Sequence, residues 1–285
     1  MAAIEQPTNQ LESAGVQSQL QHEPTLYAEP IFNIGSFPVT NSLLNSWVVI
    51  LIIIIFALFL KAKIKPIPRG LQNMLEAMIE SLLDTFDSVT GSREKTLKFF
   101  PLVFSFFIFI LLNNWLGLLP GVGSVGQVIS EHGEKVFVPL FRGATADLNT
   151  TLALASIGVV ISHIFGIIFI GAWNYLNKFI NLKAILEIPK TVLKDPMVLI
   201  VNPIKLFVGF LEIIGEIAKV ASLSFRLFGN IFAGEVLLAS MAAILAFGLP
   251  IPFIFLEVLV GLIQALIFAM LVLTYLTVMT TAEEH

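Results

Sequence analysis

Cysteine is missing from all 285 residues, which excludes disulfides, thiolate metal sites and cysteine nucleophiles. Charge is sparse too: Asp, Glu, Lys and Arg make up 13% of the chain, and the formal net charge is only −4. The four histidines (His22, His132, His163 and His285) are scattered without metal-ligand spacing, so neither a metal nor another cofactor is expected. Nothing in so thin a basic complement points to nucleic acid. The chain opens without the basic start and apolar run of a signal peptide. What fills it instead is apolar: 56% hydrophobic residues, including 25 Phe, and a mean hydropathy of +0.90. A water-soluble domain has no interior large enough for that much apolar surface, so the expected solvent is a lipid bilayer.

Five apolar stretches exceed the ~18 residues that a spanning helix needs. They run from about Leu43 to Leu60, Phe99 to Leu119, Leu152 to Tyr175, Pro203 to Phe247, and Phe253 to Thr280. Residues 1–41 are polar and carry Pro7, Pro24, Pro30 and Pro38; they read as a loosely ordered tail, with the patch Ile31-Phe-Asn-Ile able to rest on the membrane surface. Lys61, Lys63, Lys65 and Arg69 follow the first span, and Lys178, Lys183, Lys190 and Lys194 follow the third. The loop after the second span has only Lys135 and Arg142, and the Gly248-Leu-Pro-Ile-Pro252 turn has no basic residue. Positive loops stay on the cytoplasmic side, which places the amino terminus outside and the carboxyl terminus inside.

Residues 71–89 follow another pattern. Leu71, Met74, Leu75, Met78, Ile79, Leu82, Leu83 and Phe86 recur at three- and four-residue spacing, with Glu76, Glu80, Asp84 and Asp87 on the other face. This predicts an amphipathic helix on the inner membrane surface; a helix docked on a soluble partner has the same pattern. The fourth stretch, about 45 residues, would measure roughly 67 Å as a helix against a hydrocarbon core of about 30 Å. It must tilt steeply or break. The expected fold is therefore an all-α polytopic membrane protein: five membrane helices and one interfacial helix, the last two spans forming a long, steeply tilted hairpin suited to lie against a curved partner.

The polar groups inside these spans are functional candidates by default. Guanidinium groups stay protonated at physiological pH, and one at a bilayer centre costs roughly 2.5–3.5 kcal/mol on insertion scales. Arg226 has no acidic residue within one turn on its own helix; Asn230, four residues on, shares its face but cannot neutralise it. A structural pairing with Glu257 or a lipid phosphate is the plainer alternative. Glu235 lies about 13 Å further along and nearly opposite in azimuth. On the fifth stretch Glu257 is the only carboxylate before the tail, and Gln264 lies two turns deeper. One antiparallel register brings Arg226 level with Gln264 and Glu235 level with Glu257, and two carboxylates at one level suit a shared proton. Glu212, Glu216 and Lys219 step along the inner end, as an ion path or as an interfacial salt-bridge cluster. His163 reads as a helix-packing histidine, and Asn113-Asn114 as a pair satisfying backbone at the end of the second span.

Four stretches, in order, now carry a resemblance. Ser224-Phe-Arg-Leu-Phe-Gly-Asn-Ile-Phe-Ala-Gly-Glu235 closely resembles the signature of subunit a of the F-type ATP synthases. Asn114-Trp-Leu-Gly-Leu-Leu-Pro120, Ala146-Asp-Leu-Asn-Thr-Thr-Leu-Ala-Leu-Ala155, and Gln264-Ala-Leu-Ile-Phe-Ala-Met-Leu with Tyr275 beyond agree with it. The likeness runs from about Pro66 to the carboxyl terminus and looks bacterial in type.

The resemblance implies a stator subunit without an active site of its own, forming two offset half-channels to a rotating ring of c subunits in a bacterial plasma membrane. Its implied partners are that ring, the b-subunit peripheral stalk, the other synthase subunits and the lipid bilayer. Arg226 then matches the essential arginine facing the ring, Asn230 and Gln264 its polar neighbours, and Glu235 the acidic residue of the outer half-channel. Glu257 falls where relatives carry either histidine or glutamate. Glu212, Lys219 and Ser222 match inner half-channel positions, beside Gly215 and Ala218 where relatives have small polar residues; Glu216 gains no role. Two rival readings are a secondary ion-coupled transporter, for which no internal repeat is found, and a non-conducting scaffold, which leaves Arg226, Glu235 and Gln264 unexplained. An intramembrane hydrolase lacks any paired ligands or nucleophile geometry.

Overall fold

A computed structural model of the chain describes residues 25–119, 121–131, 134–180, 197–245 and 248–281. Long apolar runs become helices because in lipid every backbone N–H and C=O must be paired within its own segment. Among the described residues these helices are α1 (Asn41–Lys63), α2 (Leu71–Thr90), α3 (Arg93–Gly117), α4 (Leu148–Ile170), α5 (Ala172–Ile180), α6 (Val198–Ile244) and α7 (Pro250–Thr280). α1, α3, α4, α7 and residues Phe207–Ile244 of α6 are long and apolar enough to cross a membrane. The chain is an all-α polytopic membrane protein. α6 runs unbroken for 47 residues, about 70 Å at 1.5 Å per residue, so the long fourth stretch does not break.

Two antiparallel hairpins add to the helices: β1 (Pro30–Ile34) with β2 (Phe37–Thr40), and β3 (Gly126–Glu131) with β4 (Glu134–Pro139). The first corrects the expectation of a loosely ordered tail as far as residues 25–40 are concerned; residues 1–24 and the carboxyl-terminal 282–285 lie outside the described residues. Its cause is local. Gly35-Ser36 between Ile34 and Phe37 is a hairpin dipeptide, and Gly35 takes φ 65°, which a side chain disfavours. The third span also differs from expectation. α4 stops at Ile170 rather than continuing through Tyr175, because Gly171 adopts φ 88° and its N–H caps the Ile167 carbonyl at 2.9 Å. α5 then starts afresh in another direction.

The chain divides into two compact units, each threaded by the same long helices. The first comprises Met1–Leu58, Phe109–Thr150 and Phe228–Ile263. Its interior is unusually polar: α1 buries Ser42, Asn45, Ser46 and Val49 on one stripe and turns Ile50, Leu51, Ile54 and Leu58 outward, the reverse of a soluble helix. Most of the buried amide groups are paired; Asn41 Nδ2 and Asn45 Oδ1 are not. Asn45 Nδ2 donates to Asn113 Oδ1 (3.2 Å), Asn113 Nδ2 to the Phe109 carbonyl (2.8 Å), and Asn114 Nδ2 to the Gly261 carbonyl (2.9 Å).

The second unit comprises Phe59–Ile108, Thr151–Leu227 and Gln264–His285, and its core is aromatic and aliphatic. Phe86, Phe99, Phe268, Leu223, Leu227, Leu273 and Leu276 are fully buried. α2 is held at its carboxyl-terminal half: Leu83 and Phe86 are buried, Phe86 meets Phe100 at 6.0 Å between ring centroids, and Arg93 reaches back to Glu80, Asp84 and Asp87. Leu71, Met74 and Met78 stay exposed, so the other half of its apolar face is uncovered by the described residues. α4 packs closely because it offers glycine where α5 and α7 approach. A Cβ at 166 would lie 2.5 Å from the Tyr175 ring and 2.9 Å from the Met279 carbonyl oxygen. Gly166→Val is therefore expected to cost at least about 1–3 kcal/mol, read as a lower thermal midpoint of the purified protein in detergent; an unchanged midpoint would contradict this packing.

Candidate functional site

The residues singled out by sequence fall into two groups, one in each unit. In the first unit lie Asn230, Glu235 and Glu257. Glu257 on α7 is buried against α6, and what admits it is Gly234: a Cβ there would overlap the Glu257 carboxyl group. The structure therefore brings Glu257 to the residue next to Glu235. Two groups from the second span fix that part of α7. Asn114 accepts a hydrogen bond from Thr145 Oγ1 (2.5 Å) while donating to the Gly261 carbonyl, and Trp115 Nε1 donates to the Val258 carbonyl at 3.1 Å.

Glu235 has a partner that the sequence did not disclose. Arg142, 2% exposed at its side chain, holds the Glu235 carboxylate from Nη2 at 2.8 Å and from Nε at 3.1 and 3.2 Å. In the sequence Arg142 is only a charge in an outer loop, 93 positions away. The one available signal was its place just before the Ala146–Ala155 stretch.

In the second unit, Ser222 and Arg226 are exposed on α6, and Asn230 continues that stripe one turn further on. The neighbouring positions are buried: Leu223 and Leu227 pack into the core, and Ser224 Oγ meets Thr151 Oγ1 at 3.2 Å. Arg226 thus lies on an exposed part of the α6 surface. Among the described residues no carboxylate comes within ion-pair distance of it and no hydrogen bond engages its guanidinium. Gln264 is half-buried on α7 in the same unit.

Behind that stripe, Glu216 is the centre of a polar cluster that four helices build. Lys219 Nζ donates to Glu216 Oε1 at 2.6 Å, and His163 Nε2 of α4 lies 3.5 Å from Glu216 Oε2. The other imidazole nitrogen meets the Tyr175 hydroxyl of α5, which also lies 3.6 Å from Met279 Sδ. The Lys219 ammonium sits 5.3 Å from the centre of the Tyr275 ring of α7, within cation–π range. Glu212, one turn earlier on α6, is half-buried. His163 is thus a helix-packing histidine with both ring nitrogens near polar groups, and Glu216 is the hub of the cluster. The helix break at Gly171, which returns Tyr175 to His163, left no trace in the spacing of either.

A family model described as ATP synthase A chain matches residues 43–277. The chain is 34% identical over 242 residues to an ATP synthase subunit a of Syntrophobacter fumaroxidans, covering 85% of this chain and 84% of that one. It is 29% identical over 246 residues to one of Moorella thermoacetica, covering 86% and 93%. A chloroplastic ATP synthase subunit a of Stigeoclonium helveticum is 34% identical over 244 residues, covering 85% of each. With the match spanning all five membrane helices and the polar groups of both units, the chain belongs to the ATP synthase A chain family.

Proposed function

We propose that this chain is the stator subunit a of a bacterial F-type ATP synthase and carries protons to and from the carboxylates of a rotating c-subunit ring. It does so as a component without an active site of its own. The observation that carries the reading is Arg226: a permanent cation on a membrane-spanning helix, exposed on the chain's surface and unpaired among the described residues. An intramembrane charge needs an opposite charge, and among the described residues the chain supplies none. A carboxylate brought to 4 Å from the guanidinium is stabilised in its ionised form by about 4 kcal/mol at an effective dielectric of 20, which lowers its proton affinity roughly a thousandfold.

The two polar groups serve as the two approaches. Glu235 and Glu257, with Asn230 beside the arginine stripe, form the outer half-channel. Glu212, Glu216, Lys219 and Ser222 form the inner one, joined by His163. A ring carboxylate loses its proton to one approach as it meets Arg226, passes the fixed charge ionised, and is reloaded from the other before it returns to lipid. The same cation repels a proton moving directly between the approaches, so the membrane gradient drains only through rotation. The basic loops after the first and third spans support an amino terminus outside and a carboxyl terminus in the cytoplasm. A tilted α6–α7 pair gives the ring a wall, and the peripheral stalk holds that wall still.

ATP-driven acidification of inverted vesicles tests the assignment. Arg226→Ala is expected to abolish it and Arg226→Lys to reduce it at least roughly tenfold, because lysine sheds its proton more readily when desolvated and lacks the planar fork. Normal pumping in either variant would refute the assignment. Gly234→Ala displaces the Glu257 carboxyl group and is expected to lower pumping several-fold with the amount of assembled complex unchanged; Glu257→Gln should do at least as much. Parent rates in both would remove Glu257 from the path.

A further inference from the structure

Resting on the reading of Glu235 as an outer-path carboxylate, we propose that Arg142 is a positioning residue of that path, aimed by the backbone of the segment that precedes the first span. The five N–H donors of the guanidinium are all used. Its Nε and one Nη2 hydrogen face Glu235. The remaining three go to the pre-span segment: Nη1 donates to Thr25 Oγ1 (3.2 Å) and to the Tyr27 carbonyl (3.1 Å), and Nη2 to the Thr25 carbonyl (2.7 Å). The carboxylate thus receives the side edge of a planar fork whose far end is fixed by main-chain oxygens.

Those oxygens are themselves anchored. The Asn41 N–H donates to the Glu29 carbonyl at 3.0 Å, and the Glu29 N–H to Asn41 Oδ1 at 3.3 Å, tying the segment to the start of α1. Gln127 Nε2 donates to the Ile31 carbonyl at 2.8 Å, tying it to the second hairpin. The backbone of Arg142 is held as well. Next to it Gly143 packs on Gly117 so closely that a Cβ on Gly117 would lie 3.1 Å from the Gly143 Cα, and the following short helical turn (Ala144–Ala146) is pinned by Thr145 to Asn114. Arg142 is buried at 2% exposure whereas Glu235 keeps 28%. The carboxylate is fixed in direction yet open on one side to the medium that supplies or accepts its proton. A group that must present one oxygen to water and to a neighbour in turn needs that combination, because misplacement by about 1 Å can cost a hundredfold in rate.

The assembled complex in proteoliposomes tests this by passive proton conduction after removal of its catalytic sector, with the amount of co-purified ring as the measure of assembly. A chain lacking residues 2–24 is expected to conduct at the parent rate. One lacking residues 2–27, which also loses Thr25 and Tyr27, is expected to fall several-fold, with R142K falling similarly and R142Q at least about tenfold. In an E235D background, where the shortened carboxylate no longer reaches the guanidinium, R142Q is expected to cost nothing further. Parent-rate conduction in R142Q or in the chain lacking residues 2–27 would overturn the proposal. So would an equal cost of R142Q in both backgrounds, which would mark Arg142 as merely structural. If R142Q lowers the amount of complex, R142K and the two shortened chains decide. Parent-rate conduction in E235Q is a different failure: it would remove Glu235 from the path and the outer-channel reading with it.

Discussion

The structure depends on one constraint: a charge carried into an apolar chain must be matched, and the chain matches all but one of its buried or membrane-level arginines from within. Arg142 has every donor engaged by its own polypeptide. Arg93 is met by three carboxylates of α2. Arg226 alone, among the described arginines within the membrane-crossing helices, stands at the surface with its guanidinium unengaged. In a soluble protein an exposed arginine needs no comment. On a helix long and apolar enough to cross lipid it is a demand for a counter-charge.

α6 meets the demand by carrying different chemistry on different faces. The stripe with Ser222, Arg226 and Asn230 is exposed, the Leu223–Leu227 side is packed, and the carboxylates Glu216 and Glu235 leave the helix in directions where other elements receive them. Glu216 is received by His163 and Lys219, and Glu235 by Arg142. Neither carboxylate is left as a bare ion in hydrocarbon, a state that would cost several kcal/mol.

Much of the fold was legible because lipid imposes a length and a composition on every span. The five apolar stretches, the interfacial pattern of residues 71–89 and the overlong fourth helix all follow from counting. The intramembrane Arg226, Glu235 and Glu257 were visible for the same reason, since any ionisable residue stands out against such a background. What the sequence concealed is whatever depends on contact between distant segments. Arg142 and Glu235 are separated by 93 positions and share no periodicity. His163 and Tyr175 lie within one apolar run, and only the turn at Gly171 lets them meet. The first hairpin had its Gly35-Ser36 signal, but five- and four-residue strands in a polar leader are too short for alternation to declare itself.

The grip of Asn114 and Trp115 on α7 has a mechanical meaning. They hold the carbonyl oxygens of Gly261 and Val258, three residues apart and therefore on one side of the helix, each of which already serves its own helical ladder. Rolling α7 about its long axis, or sliding it like a piston, would break both bonds together. Glu257, adjacent to Val258, consequently keeps a constant compass bearing.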